Sequence, residues 1–296
     1  FNEGTCYVTF DGHRSDNFTP WVFRTADFGK TWTNIAAEIP DGQVAYVIRE
    51  DFVNRNLLFV GTEFGLFVTL NGGSSWKPFM NGLPIVAVHD IIIHPQAKDL
   101  IIGTHGRGIW ICDDISSLQQ MVELGPETKA HLFTPRTATQ WHNISRGGSR
   151  GQFLYQGENP PQGALLHTYL SRDIKEASLE ITDWEGKRTK TIKLDGKPGI
   201  LRTIWDFRFN PPVLNDAEKE LLDLYTKATE WEDRREIGEK LQKSLTDRGE
   251  TYAGISRRDN TLNPIPAPPG NYKVILRVDG IAAAKPLYVR KDPILE

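Results

Sequence analysis

Thr25-Ala26-Asp27-Phe28-Gly29-Lys30-Thr31-Trp32 returns as Thr69-Leu70-Asn71-Gly72-Gly73-Ser74-Ser75-Trp76, 44 residues downstream. A second pair runs in step with it. Gly61-Thr62-Glu63-Phe64-Gly65-Leu66-Phe67-Val68 returns as Gly103-Thr104-His105-Gly106-Arg107-Gly108-Ile109-Trp110, 42 residues on. Internal periods of ~40–45 residues mark the four-stranded blades of a β-propeller. Alternation and turn signals divide the best-preserved unit into strand A over 43–49, B over 57–61, C over 65–70 and a short D from Trp76. The octapeptide then fills the C–D turn. There Asp27 or Asn71 would accept hydrogen bonds from turn amides, and Gly29 or Gly73 would supply a positive φ. Trp32 and Trp76 would plug between neighbouring sheets, each ring burying ~150–250 Å².

The octapeptide resembles the Asp-box, or bacterial neuraminidase repeat, whose pattern is S/T-x-D/N-x-G-x-T/S-W. Together with the Gly61 to Val68 block and its return, the stretch from Cys6 to Ile115 resembles the final blades of secreted bacterial sortilin-like propellers, often labelled glycosyl hydrolases. That resemblance implies a secreted or periplasmic protein whose propeller presents a channel or face to a carbohydrate or peptide. The third unit departs from the pattern. Cys112-Asp113-Asp114-Ile115-Ser116-Ser117 has neither the turn Gly nor the Trp, as expected where a propeller ends. About two and a half blades fit into residues 1–121, whereas closed propellers have ~4–8. The reading therefore expects the C-terminal portion of a longer protein, partnered by the remaining N-terminal blades. It expects a fan of sheets, not a closed ring, with an apolar exposed side.

Length and composition agree with a mainly β chain of more than one domain. The 296 residues are enough for two. With 35 basic against 38 acidic residues there is no field to steer the chain onto nucleic acid or anionic lipid. No apolar run approaches the ~18–20 residues of a membrane span. Cys6 and Cys112 are too few for a disulfide framework or a four-ligand zinc site, and are expected to be buried and inert. No phosphate loop, H-E-x-x-H spacing or Ser-His-Asp context occurs, so neither cofactor nor metal is expected.

Residues 122–161 read as a polar linker, with Gly147-Gly148-Ser149 and Pro160-Pro161 as loop markers. Asn17-Phe18-Thr19 and Asn143-Ile144-Ser145 fit the glycosylation sequon, a pattern that chance supplies often. Alternation resumes over 162–212 and again over 251–296, with Glu185-Gly186 and Asp279-Gly280 turns, which indicates a small antiparallel sandwich. The succession Trp205-Asp206-Phe207-Arg208, then Pro268-Pro269-Gly270-Asn271-Tyr272-Lys273-Val274, resembles the Ig-like domain shared by flagellar hook-cap assembly proteins and many secreted bacterial enzymes. Such modules position their neighbours. The interruption at 213–250 is strongly charged. Leu221, Leu222, Tyr225, Ala228, Trp231, Ile237, Leu241 and Leu245 trace one or two amphipathic helices capped by Asn215. These helices either bind a partner or lie on their own sandwich.

Strand order restricts the site. The A–B and C–D turns share one end of a blade, so the Asp-boxes mark the face that is usually inactive. The B–C and D–A turns share the other. On that face fall His13, Arg14 and Asp16 from the first B–C turn, Glu63 from the second, and His105 and Arg107 from the third, with His89 and Asp90 at the start of a strand A. Candidate ligand-binding residues are Glu63, His105, Arg107, His13, Arg14 and Asp90. Arg107 offers a planar fork of donors to an anionic or hydroxyl-rich ligand. A sialidase-like site would need three arginines, a Tyr activated by a Glu, and an Asp. Arg14 and Arg107 are on the right face, but no Tyr/Glu pair is assigned. Glu63 and Asp90 would be the carboxylates of a general glycosidase. Two functions follow: a glycan- or peptide-binding and scaffolding module, which is favoured, or a glycoside hydrolase completed by further blades. The alternative weighed for Glu63, His105 and Arg107 is a structural one, tying adjacent loops together.

Overall fold

The computed structural model describes residues 1–122, 124–142 and 159–295. The Gly147 loop marker and the Asn143 sequon lie outside them. The chain divides into two units, Phe1–Thr128 and Lys129–Glu296.

The first unit opens with β1 (Cys6–Phe10), β2 (Trp21–Thr25) and β3 (Thr33–Asn34), an antiparallel meander. Next comes a four-stranded sheet, β4 (Ala45–Glu50), β5 (Leu58–Thr62), β6 (Gly65–Thr69) and β7 (Lys77–Pro78), which is the A-B-C-D blade with each strand within two residues of its expected bounds. The third sheet is β8 (Val88–Ile93), β9 (Leu100–Thr104) and β10 (Ile109–Cys112). By the repeat, β1 to β3 are strands B, C and D, and β8 to β10 are A, B and C. Where a last D strand would fall, the chain forms helix α1 (Ser116–Met121). That helix is tied back to the second sheet. The Gln119 side chain donates to the fully buried Asp51 (2.7 Å), and Asn54 Nδ2 donates to the Gln119 carbonyl (3.0 Å).

The sheets pack in succession, β1 and β2 on β4, then β4 and β5 on β8. Val22, Ala45, Ile48, Leu58, Val60, Phe67 and Trp76 fill the first seam. Beyond the third sheet, Ile92, Ile109 and Ile111 stand 52–73% exposed, the apolar open side that the repeat count predicts. Cys6 is exposed and Cys112 half-buried, which corrects the expectation that both are buried. Cys6 begins β1, an edge strand with no strand partner on its other side among the described residues.

One pair of glycines shows how closely the sheets approach. Gly61 and Gly103 are equivalent strand B residues. A Cβ on Gly61 would lie 2.6 Å from the Val88 carbonyl oxygen and 2.7 Å from Val47 Cγ1, whereas on Gly103 its nearest contact would be Asp90 Cβ at 3.5 Å. Gly61→Ala should therefore cost about 1–3 kcal/mol through overpacking, and Gly103→Ala no more than about 0.5 kcal/mol. Urea unfolding midpoints compare them directly.

The second unit adds β11 (Ala130–Leu132), β12 (Ala138–Gln140), β13 (Ala164–Leu170), β14 (Ala177–Asp183), β15 (Thr189–Lys193), β16 (Gly199–Trp205) and β17 (Arg208–Phe209). Helices α2 (Asp216–Lys227) and α3 (Trp231–Asp247) follow, then β18 (Ile265–Pro266), β19 (Gly270–Val278) and β20 (Ile281–Lys291). A three-stranded sheet, β11-β13-β16, and a five-stranded sheet, β12-β20-β19-β14-β15, share one core around Trp205, Phe209, Leu166, Ile181, Tyr272 and Val274. β11 and β12 fall inside the stretch read as linker. Each is three residues long, too short for alternation to register, and β12 joins β20 in parallel. The helices sit over Leu262, Tyr252 and Ile255, burying Leu241 and Leu245 and leaving Trp231 61% exposed.

Candidate functional site

Both strands A carry a β-bulge at the same place. The β4/β5 register shifts between Ala45 and Val47, and the β8/β9 register between Val88 and Asp90. Tyr46 and His89, 43 residues apart, are thus equivalent extra residues in successive sheets. A bulge leaves such a residue unpaired and re-aims its side chain. The residue after each strand B repeats in the same way: Asp11 after β1, Glu63 after β5 and His105 after β9. Glu63 N–H donates to the Val44 carbonyl (3.0 Å) and His105 N–H to the Ala87 carbonyl (2.9 Å), so the turns are fixed alike. Each of these two sheets delivers one bulge side chain and one turn side chain to the end opposite the Asp27 and Asn71 turns.

These side chains meet. Tyr46 donates its phenol proton to the Glu63 carboxylate. Its ring centroid lies 4.3 Å from that of His89, and His89 stacks on His105 at 5.3 Å and 24°. A row Glu63, Tyr46, His89, His105 thereby crosses the seam between the second and third sheets. From the first sheet Thr9 Oγ1 donates to the Tyr46 carbonyl (3.0 Å). Glu63 and Tyr46 are half-buried; His89 and His105 are exposed.

Burial, the hydrogen bond to Glu63, and the charges of Glu63 and Asp11 push the Tyr46 phenol well above its ordinary pKa. At neutral pH Tyr46 is protonated and its hydroxyl is fixed on the Glu63 carboxylate. Asp11 lies beside this row, with His13 Nδ1 2.5 Å from its Oδ1 and the His13 N–H donating at 3.0 Å. Burial raises the Asp11 carboxyl, but these bonds and the nearby His13 and Arg14 charges together outweigh it and hold it below the usual range.

Of the six residues singled out from sequence, Glu63 and His105 lie in the row and His13 is held on Asp11 next to it. Arg14 and Arg107 are exposed on the same turns, and the Arg107 carbonyl accepts from Trp110 Nε1 (3.0 Å). Asp90 is engaged elsewhere. It pairs with Arg49 (3.0 Å), whose Nε donates to the Ile91 carbonyl (2.7 Å), so this contact links β4 to β8. Tyr46 was missed, and with it the Tyr/Glu pair that the sequence reading did not assign. Its spacing from His89 was the available signal.

Asp27 and Asn71 at the other end close their own turns. Asp27 accepts from Thr25 Oγ1 (2.8 Å), Thr31 N–H (2.9 Å) and Thr31 Oγ1 (2.6 Å). The Thr31 hydroxyl first, then its N–H and Thr25, hold the carboxyl at about 2. Asn71 repeats the pattern, taking Thr69 Oγ1 (2.8 Å) and Ser75 N–H (2.9 Å), with Gly29 and Gly73 at φ 83° and 94°. The tryptophans differ. Trp76 is 5% exposed and donates to the Ile35 carbonyl of the preceding sheet (2.6 Å). Trp32 is 44% exposed and donates only to its own turn, at the Gly29 carbonyl (3.1 Å). The expectation that both are buried holds for Trp76 alone. A box Trp is buried by the sheet before it, and the described sheet that packs on β1 and β2 is the one after.

Successive antiparallel meanders with bulged first strands and repeated Asp27 and Asn71 turns fit a β-propeller module. The family model described as "Sortilin, neurotensin receptor 3" matches residues 21–199, more than half of the chain, and the chain belongs to this Sortilin-Vps10 family. No curated protein matches it. Among solved structures, an ancestral GH74 enzyme is 15% identical with a TM-score of 0.29, over 67% of this chain and 17% of that one. The extracellular domain of a one-component system from B. thetaiotaomicron is 10% identical with a TM-score of 0.29, over 98% and 30%. The GH74 xyloglucanase from Xanthomonas campestris is 12% identical with a TM-score of 0.28, over 97% and 37%. The chain thus spans between a sixth and two fifths of the length of these structures, and none of the overlays is close enough to transfer an activity.

Proposed function

We propose that the first unit is a ligand-binding and scaffolding part of a secreted or periplasmic sortilin-like propeller, and that the B–C face receives a glycan or peptide. The observation that carries this reading is the row Glu63, Tyr46, His89, His105, because two sheets spend equivalent bulges and turns on bringing polar and aromatic side chains to one face. Aromatic faces beside fixed donors and acceptors suit sugar rings and peptide side chains alike. Arg107, Arg14, His13 and Asp90 are proposed as further contacts of the same ligand. Further blades of the same protein are the proposed neighbours of the exposed Ile92, Ile109 and Ile111. The second unit is proposed as an Ig-like module that positions the propeller.

Glycan-array and peptide binding to the full-length protein, compared with an Arg107→Ala/Glu63→Ala variant of unchanged melting temperature, tests this reading. Lost binding supports it, and unaltered binding removes these residues from the site. Tyr46→Phe should weaken the same ligand about 5–10-fold, the cost of one net hydrogen bond, because Glu63 loses the donor that orients it. The second reading is a glycoside hydrolase completed by N-terminal blades, with Glu63 as one carboxylate. Turnover of an aryl glycoside that disappears in Glu63→Ala would favour it.

A further inference from the structure

The turn end that carries the Asp-boxes holds a cavity of about 250 Å³ between the first and second sheets. Its walls include Tyr7 of β1, Arg24 of β2, Glu50 at the end of β4, Arg55 and Asn56 from the β4–β5 turn, and Asn71 of the second Asp-box. Tyr7 donates to Glu50 Oε1 at 3.3 Å, so the cavity's carboxylate is already engaged. Arg24 and Arg55 both line it and are exposed residues, so the cavity has two cationic residues against the one carboxylate of Glu50. Guanidinium forks match oxyanions in geometry as well as charge. The volume falls below the ~300–1,000 Å³ usual for drug-sized ligands and suits a single sugar or anionic group.

The box residue is the second, independent observation. In the first copy it is Asp27, an ionised carboxylate; in the copy that lines the cavity it is Asn71. Asn71 Oδ1 makes the same acceptor contacts as Asp27 Oδ1, while its Nδ2 donates to Ser75 Oγ (2.8 Å). The turn geometry is therefore kept without adding a second negative charge beside Glu50 in a cavity that Arg24 and Arg55 also line.

We infer that this cavity is a second binding site, on the face opposite the Glu63 row, for an oxyanion-bearing monosaccharide unit: a uronate or a sugar sulfate. Hydroxyls of such a ligand would meet Asn56, Asn71 and Tyr7, and its anionic group Arg24 and Arg55. The test is isothermal titration of the full-length protein with glucuronate, glucose 6-sulfate and glucose as probes. Saturable one-to-one binding of glucuronate or glucose 6-sulfate, weakening with added salt, and no binding of glucose is the expected result. Whichever of the two anions binds more tightly identifies the anionic group. Arg55→Ala should weaken binding at least tenfold. Asn71→Asp should weaken it several-fold with the fold intact, since Asp27 shows that a carboxylate closes the same turn. Absence of saturable binding by both anions, or binding unchanged in both variants, overturns the inference.

Discussion

Trp76→Ala should lower the stability of the first unit by about 3–5 kcal/mol, the range for removing a fully packed large aromatic. The ring is 5% exposed in the seam between the first two sheets, and its indole N–H holds the Ile35 carbonyl of the sheet before it. Deleting it leaves a cavity, an unpaired carbonyl and a loosened turn where Gly73 passes within reach of Ile35. A total stability of ~5–15 kcal/mol leaves little in reserve. Trp32→Ala, the same change in the other copy of the motif, should cost only about 1 kcal/mol, because that ring is 44% exposed and bonds within its own turn. Urea unfolding followed by far-ultraviolet circular dichroism measures both. Equal losses for the two variants would contradict the seam packing described for Trp76.

Glu218→Ala should destabilise the helical pair of the second unit by about 2–3 kcal/mol. Glu218 is fully buried and serves four donors: the Asn215 N–H (2.9 Å), Ser244 Oγ (2.8 Å) and both Arg248 Nε (3.0 Å) and Nη2 (2.7 Å). Asn215 in turn accepts from the Glu218 N–H (2.9 Å), closing a capping box at the head of α2. Removing one partner of a buried pair costs ~3–5 kcal/mol, and the figure is reduced here because the Arg248 side chain is 38% exposed and regains water. Burial raises the Glu218 pKa, but the bonds from Asn215, Ser244 and Arg248 and the Arg248 charge outweigh it and hold it below the ordinary value. A lowered folded value means that the stabilisation is complete above the unfolded carboxyl pKa and is lost as pH falls through the folded one. Glu218→Gln should therefore flatten the acid limb of stability against pH. Hydrogen exchange at the α2 and α3 amides reads out both variants, and wild-type exchange in Glu218→Ala would sink this assignment.

The sheets of the first unit were legible because a 44-residue and a 42-residue repeat fixed strand order, and strand order fixed which turns share a face. Asn215 was legible as a cap because its partner Glu218 stands three residues on. Tyr46 was not. Its role depends on a bulge, which shifts register by one residue without altering the apolar pattern around it. Asp90 was placed on the correct strand, yet Arg49 of β4, four strands earlier in the sequence, takes it out of the row. The different fates of Trp32 and Trp76 were hidden because the motif specifies the turn, while burial depends on which neighbouring sheet is there to receive the ring. Helix α1 was hidden for a related reason. The loss of the box Gly and Trp signalled that strand D ends, and only Asp51 and Asn54 on another sheet show what replaces it.

The proposed role of the Glu63, Tyr46, His89, His105 row is tested most directly by isothermal titration of the strongest glycan or peptide hit against wild-type protein, Glu63→Gln and His105→Ala, all with matched melting temperatures. The two residues come from different sheets and are joined through Tyr46 and His89, so one continuous site requires both to matter. Binding at least tenfold weaker in each variant is the predicted result. Three superimposable isotherms would contradict it.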